Sequence, residues 1–296
     1  MSAGLASRPL ASRHLAHERR VERLWVFLLT LSMVVIVAPV VLVVFYLLWK
    51  GGSAITWTFL TQPPIHGMRE GGIFTPLVGT LYLAALTMII SVPLGVLAAI
   101  YLHEFAKPGP MVRLVRLALT NLAGVPSVVY GLFGLAVFVI ILRFDTSLLA
   151  GACTLALLVL PLVITASEEA LRQVPHEFRS ASLALGATRW QTVRRIVLPN
   201  ALPGILTGVV LSLSRAAGET APILFTAAAY YLPYPPRTVF SPVMALPYHL
   251  YVLATQVPGA PPSVTWGTAL VLLGLVLLLN ATALILRQRL LVRRRW

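Results

Sequence analysis

Leu24 to Trp49 is a run of 26 residues without a charge, held between Arg23 and Lys50. About 20 apolar residues wound as an α-helix cross the roughly 30 Å hydrocarbon core of a bilayer. This run is long enough to do so, and too long for the ~7–15-residue apolar core of a cleaved signal peptide. Further runs follow at 76–102, 117–142, 146–167, 201–232 and 264–286, of which only the fifth carries charges, Arg215 and Glu219. In lipid a backbone must satisfy its own polar groups, which a helix does within one segment. The expected fold class is therefore all-α: a polytopic membrane protein of six transmembrane helices with both termini on one side. Composition agrees, since 58% of the 296 residues are hydrophobic and 11% charged, against about a quarter charged in soluble domains. A water-soluble enzyme is excluded.

Basic residues choose the side. Of 23 Lys and Arg, 18 fall in the tail ending at Arg23, the 103–116 loop, the 168–200 segment and the tail from Arg287. Lys50, Arg69, Arg143 and Arg237 lie in the alternate loops, and Arg215 lies within the fifth run. The positive-inside rule then makes both termini cytoplasmic. It divides the chain into a basic tail (1–23), a permeating membrane domain (24–286) with a cytoplasmic segment at 168–200, and a second basic tail (287–296). The same rule accounts for the net charge of +14. Nucleic acid is not expected as a partner, because the charge is split among four pieces with little aromatic interleaving. Membrane lipid is.

Several chemistries are missing. A phosphate-cradling Walker A loop needs Lys before Ser or Thr, yet Lys50 precedes Gly51 and Lys107 precedes Pro108. No HExxH or GxSxG occurs, and the six His are scattered over tails and loops. The single cysteine, Cys153, sits in an apolar run and reads as a small buried hydrophobe. No catalytic residue, metal site or cofactor is expected, and there is no internal repeat of the inverted-repeat carrier kind.

Between the fourth and fifth runs, Phe178, Ala181, Ser182 and Leu185 recur at helical spacing, as do Trp190, Val193 and Val197, with Gly186 between the two sets. The pattern predicts two short amphipathic helices joined at a glycine that ends the first in a left-handed turn. On pattern alone it is equally a solvated loop on the membrane surface. Gly186, nine residues, Ile196, one residue, then Leu198-Pro199, preceded by Ser180-Ala181-Ser182 and three residues, resembles the EAA loop of ABC importer permeases. Ser180 stands where that family has a leading Glu, and Ser182 where it has a second Ala. The strings Asn121-Leu122-Ala123-Gly124-Val125-Pro126-Ser127-Val128-Val129-Tyr130-Gly131-Leu132-Phe133-Gly134 and Ser214-Arg215-Ala216-Ala217-Gly218-Glu219-Thr220-Ala221-Pro222 resemble the permease of the phosphate-specific importer, the PstA type rather than its PstC partner. The likeness runs from about residue 70 to 286.

That resemblance implies a type I ABC importer permease fold in the inner membrane. It also implies a second related permease of the PstC type, an ATP-binding subunit dimer and a periplasmic phosphate-binding protein. It makes Phe178, Ala181, Ser182, Leu185, Gly186, Leu198 and Pro199 the ATPase-coupling residues. An energised importer suits the cargo, because each negative charge moved against an inside-negative potential costs about 2.3 kcal/mol per 100 mV. Without a nucleotide site in this chain, the drive has to come from a partner.

Two features are expected on the substrate path. Gly124-Val125-Pro126-Ser127 should break the third span, since Pro126 lacks a donor. If the helix restarts there, its free amides and the Ser127 hydroxyl suit an anion; the alternative is a packing or hinge role. Arg215 and Glu219, near the middle of the fifth span, share a helix face by their i, i+4 spacing. A charge there costs about 2.5–3.5 kcal/mol on insertion scales. They are read as handling the anion, with the alternative of an ion pair that only holds the bundle. Tyr130 and Thr220, from the same two strings, complete the expected path. Gly204-x-x-x-Gly208 reads as close helix packing. The loop from Pro233 to Val264 holds eight prolines around the apolar stretch Met244 to Ala254, expected to be half-sunk in the outer interface or covered by the partner permease, and to offer a surface to the binding protein. Alternative functions are a permease for sulfate or molybdate, and a stand-alone carrier or intramembrane enzyme.

Overall fold

The computed structural model describes residues 9–292. Five helices in it are long and apolar enough to cross a membrane: Val21–Ala54, Phe74–Phe105, Leu148–Arg172, Arg189–Gly218 and Pro262–Arg289. The pair Pro110–Ala123 and Ser127–Ile141, bent by 103°, makes a sixth if its two halves are counted as one span. The expected all-α architecture, with five to six apolar spans, is thus observed, and the third is bent where the sequence placed its break, at 124–127.

In chain order the elements are α1 (Pro9–Gly51), α2 (Trp57–Thr61), a two-residue hairpin of β1 (Pro64–Ile65) and β2 (Glu70–Gly71), α3 (Phe74–Ile100) prolonged by a wide π-helical turn at Tyr101–Phe105, and α4 (Pro110–Ala123). Then come α5 (Ser127–Gly134) with a π-helical continuation at Leu135–Ile141, α6 (Leu148–Arg172), α7 (His176–Ala184), α8 (Arg189–Thr192) and, across a π-helical turn at Val193–Val197, α9 (Leu198–Gly218). Last are α10 (Ala221–Thr226), α11 (Leu246–Thr255) and α12 (Pro262–Val292). The expected basic tails are, where described, helical extensions: α1 starts at Pro9 and α12 runs to Val292. The remainder of each tail lies outside the described residues.

α6 is the axle. Small residues let its neighbours approach: a Cβ on Gly95 of α3 would come within 2.6 Å of Val163, and one on Gly204 of α9 within 2.7 Å of Ala170. Gly208 meets Ala166 in the same way, so the Gly204-x-x-x-Gly208 spacing is a packing seam, as expected. These pairs also set a ruler, because α9 climbs as α6 descends. The level of Ala216 is that of Leu158 and Val159, which share its cluster. α1 presents most of its apolar surface outward, as a lipid-facing helix does, whereas α12 is half-buried over much of its length, and the two meet where Tyr46 packs edge-on against Trp266 at 5.2 Å.

The two ends of the bundle differ in charge. Gln173, Val174, Asn200 and Arg287 surround one cavity of about 330 Å³, so the second basic tail and the 168–200 segment share an end, called here the basic end. The opposite end carries α2, the hairpin, and residues 227–261. There the apolar stretch 244–254 is not a half-sunk loop. It forms most of α11, whose Leu246, Val252 and Leu253 are buried against this chain's own Phe59, Met68, Ile73 and Met244. The Leu246 amide donates to the buried Thr80 hydroxyl of α3 at 2.8 Å, and residues 227–229 bridge to Val243. So the apolarity that suggested lipid or a partner is spent internally.

Candidate functional site: two broken helices at mid-depth

Both breaks follow from a proline. In an α-helix the Leu122 carbonyl takes its proton from residue 126, but Pro126 has none to give. The chain turns instead: the Val125 amide donates to the Leu122 carbonyl at 3.1 Å, Pro126 is extended (φ −57°, ψ 140°), and α5 starts at Ser127. The buried Tyr130 hydroxyl donates to the same Leu122 carbonyl at 2.9 Å, clamping the corner. The expected break at 124–127 is present. The uncharged residues 117–123 before it belong to α4, whose Val112, Arg116 and Leu119 turn half-buried towards the bundle.

The second break repeats the logic. Pro222 cannot donate to the Gly218 carbonyl, and α9 ends there, with Glu219 extended (φ −74°, ψ 132°) before α10 resumes at Ala221. The fifth span was expected to run helical to Leu232; it stops at Thr226, and Glu219 is the residue that leaves the helix. Arg215 occupies the last turn of α9, where a cation complements the helix dipole. That turn is level with Leu158 and Val159, near the midpoint of α6, so the expected mid-span depth holds although the helix ends there.

The breaks are packed together. A Cβ on Gly131 of α5 would come within 3.0 Å of the Ala221 carbonyl oxygen and 3.1 Å of Pro222 Cα. Only a glycine allows α5 so near the α10 backbone. Tyr130 and Ala216 are buried in one cluster, with Val125 at its edge, and Arg215 is within electrostatic reach of Tyr130. The two strings that stood out in the sequence, about 90 residues apart, therefore form one site.

Arg215 and Glu219 make an ion pair, Nε to Oε1 at 3.4 Å, with 44% and 18% of their side chains exposed. This is the sole hydrogen bond recorded for either side chain among the described residues. It leaves both terminal guanidinium nitrogens and the second carboxylate oxygen uncommitted. Thr220 is half-buried between the helices, and its carbonyl accepts from the Leu224 amide at 3.2 Å. Ser127 is half-buried as the first residue of α5, one turn before Tyr130. Tyr130 is committed to the corner. Sequence reading missed Ser214, next to Arg215, whose hydroxyl donates to Asn280 of α12 at 2.8 Å and fixes this turn of α9. No cluster of three potential metal ligands occurs among the described residues.

At the basic end α7 closes in a Schellman motif. The Gly186 amide donates to the Leu183 carbonyl at 3.0 Å and the Ala187 amide to that of Ser182 at 3.2 Å, with Gly186 at φ +81°. Thr188 and Gln191 then form a capping box that opens α8. The left-handed glycine is as expected. The second helix is not short, because it continues as α9 into the membrane. Of the expected coupling residues, Ala181 and Leu185 face out, Leu185 at 89% exposure. Phe178 and Leu198 pack against the bundle, and Pro199 is half-buried beside them. Ser182 is buried, its hydroxyl 2.9 Å from that of Thr192. Ser180 contacts His176 of its own helix.

Residues 91–295 match the family described as "Binding-protein-dependent transport system inner membrane component". The chain belongs to this family. Phosphate transport system permease protein PstA 1 of Mycobacterium tuberculosis is 38% identical over 95% of this chain and 93% of its own. PstA of Xylella fastidiosa (strain Temecula1) is 35% identical over 79% and 80%. Probable ABC transporter permease protein YqgI of Bacillus subtilis is 32% identical over 80% and 85%. Among solved structures, a bacterial ABC transporter that imports alginate aligns with TM-score 0.64, at 16% identity, over 94% of this chain and 99% of the solved chain. The MetNI methionine ABC transporter aligns with TM-score 0.57, at 22% identity, over 74% and 94%. The fold is that of ABC importer permeases.

Proposed function

We propose that this chain is a pore-forming permease of an ATP-driven inorganic phosphate importer, set in the inner membrane with its basic end and both termini in the cytoplasm. One observation carries the reading: an arginine at the midpoint of the bundle, half-exposed, held by a single bond to a carboxylate and flanked by two helix breaks. A guanidinium fork binds two phosphate oxygens at once. The names of relatives up to 38% identical over most of the chain supply the cargo.

In this mechanism Glu219 neutralises Arg215 while the path is empty. When hydrogen phosphate arrives, the open N–H groups of Arg215 donate to its oxygens, and a carboxylate oxygen of Glu219 accepts a hydrogen bond from the O–H that the anion still carries. A fully ionised sulfate has no such proton and is repelled. The competing carboxylate also lets Arg215 release what it holds, which transport requires. Ser127 and Thr220 are placed on the same path, and Tyr130 keeps its corner. The ATP-binding dimer docks on α7 around Leu185 and hydrolyses the nucleotide that this chain has no loop to bind. A second permease of the PstC type covers the exposed side of Arg215, and a periplasmic phosphate-binding protein delivers from the opposite end.

Reconstituted vesicles holding all four components test this. ATP-dependent uptake of labelled phosphate should survive a hundredfold excess of sulfate or molybdate. Uptake abolished by either anion would reassign the cargo, and uptake by this chain alone would remove the partners.

A further inference from the structure

Resting on the importer reading, we propose that Arg179 and Glu104 are positioning residues for energy coupling: a joint that bolts α7 to α3 and α6 so that they move as one. Arg179 lies on α7, and Glu104 lies 75 residues earlier in the π-helical turn that ends α3. The guanidinium meets this carboxylate three times, Nη2 to Oε1 at 2.8 Å, Nε to Oε1 at 3.2 Å and Nε to Oε2 at 3.4 Å. It also donates to two carbonyls at the end of α6, Nη1 to Val174 at 2.6 Å and Nη2 to Leu171 at 2.9 Å. Both side chains are nearly buried, 13% and 11% exposed.

The geometry has one purpose that burial alone does not explain. α7 stands at the edge of the bundle, with Ala181, Leu183 and Leu185 turned outward. Inward it rests on Phe178, the Ser182–Thr192 hydroxyl pair and Arg179. Apolar packing slides, whereas a guanidinium with directed bonds both to Glu104 and to carbonyls at and just past the end of α6 resists sliding and rolling. α6 is the helix whose Leu158 and Val159 wall the Tyr130 and Ala216 cluster beside Arg215, and α3 packs along it through Gly95 and Val163. A displacement imposed on the outer face of α7 is therefore delivered through Arg179 to the helices that shape the mid-depth site. Arg116 of α4 joins Glu168 of α6 at 3.0 Å, so the corner at 124–126 is tied to the same axle.

The test is the ratio of phosphate imported to ATP hydrolysed, measured in vesicles holding the assembled four-component complex, for wild type, Glu104→Gln, Arg179→Gln and Arg179→Lys. Glu104→Gln keeps the volume and one acceptor oxygen, and it replaces the other oxygen by an NH2 donor and removes the charge. We expect each variant to assemble and to hydrolyse ATP at the wild-type rate or faster, with the ratio at least about fivefold lower and Arg179→Lys the mildest of the Arg179 changes. A ratio unchanged, or import and hydrolysis falling in equal proportion, overturns the joint. So does failure of Glu104→Gln to assemble, which assigns the pair to folding instead. The underlying functional reading fails separately, if the wild-type complex itself shows no ATP-driven phosphate import.

Discussion

Arg215 and Glu219 are two charges in an otherwise apolar run, paired where α9 ends. Their spacing and their cost in a membrane were legible, because two charges in an otherwise apolar run need a reason to be there. The helix end between them was not foreseen, since it depends on Pro222 withholding a donor from Gly218. The pair is formed, and a double-mutant comparison separates holding the bundle from handling the anion. If the pair only stabilises, replacing both by Gln should restore most of the import lost in Arg215→Gln or Glu219→Gln. We expect instead that the double variant assembles, hydrolyses ATP and imports less than a tenth of wild type, like Arg215→Gln. His249 gives a second prediction at this scale. It lies on α11, nearly fully buried with Nδ1 unpartnered, and burial pushes its pKa down to about 4. The folded chain therefore resists a proton that the unfolded chain takes up near pH 6.5. Stability should be full above pH 6.5 and fall as the pH drops towards 4. Melting of the solubilised protein at pH 7.5 and pH 5 checks this, and His249→Gln should shrink the difference.

At the level of elements, the corner at 124–126 was readable because Gly-Val-Pro interrupts a helix by known rules. Its consequence was not: residues 117–123, free of charge, looked like the start of a span, yet they finish an amphipathic helix lying at 103° to α5. Apolarity reports burial or lipid without saying which, and α11 misled in the same way. The Arg179 to Glu104 joint had no local signal, since only the folded chain brings together residues 75 apart. Gly186 was the clearest element-scale success, and its φ of +81° makes a prediction. A Cβ there would meet nothing within 4 Å, so any harm comes from backbone strain, about 1–2 kcal/mol for a left-handed residue. Gly186→Val should lower import and ATP coupling several-fold while the chain still inserts, and Gly186→Asn, which tolerates this conformation, should be close to wild type. Equal coupling in the Val variant would detach the Schellman turn from docking.

For the whole molecule, the apolar spans and their basic end were legible in length and charge alone, because the bilayer limits a chain more strictly than water does. The structure gathers Gln173, Asn200 and Arg287 at one end. The orientation proposed for that end predicts that a cysteine at Ser180, in a Cys153→Ala background, is labelled by an impermeant thiol reagent only in inverted vesicles, and one at Ser241 only in intact cells. Labelling of position 180 from outside would reverse the topology.

If Arg215 lines a water-filled phosphate path halfway through the membrane, a thiol in its place is reachable by water and covered by the anion. Arg215→Cys in the Cys153→Ala background, assembled with its partners, should then give a complex that hydrolyses ATP without importing phosphate. Its new thiol should react with a small cationic thiosulfonate and be shielded by millimolar phosphate, and import should return in part once the reagent has restored a positive charge. A thiol that stays unreactive, or reacts at the same rate with and without phosphate and recovers no transport, would contradict that placement of Arg215.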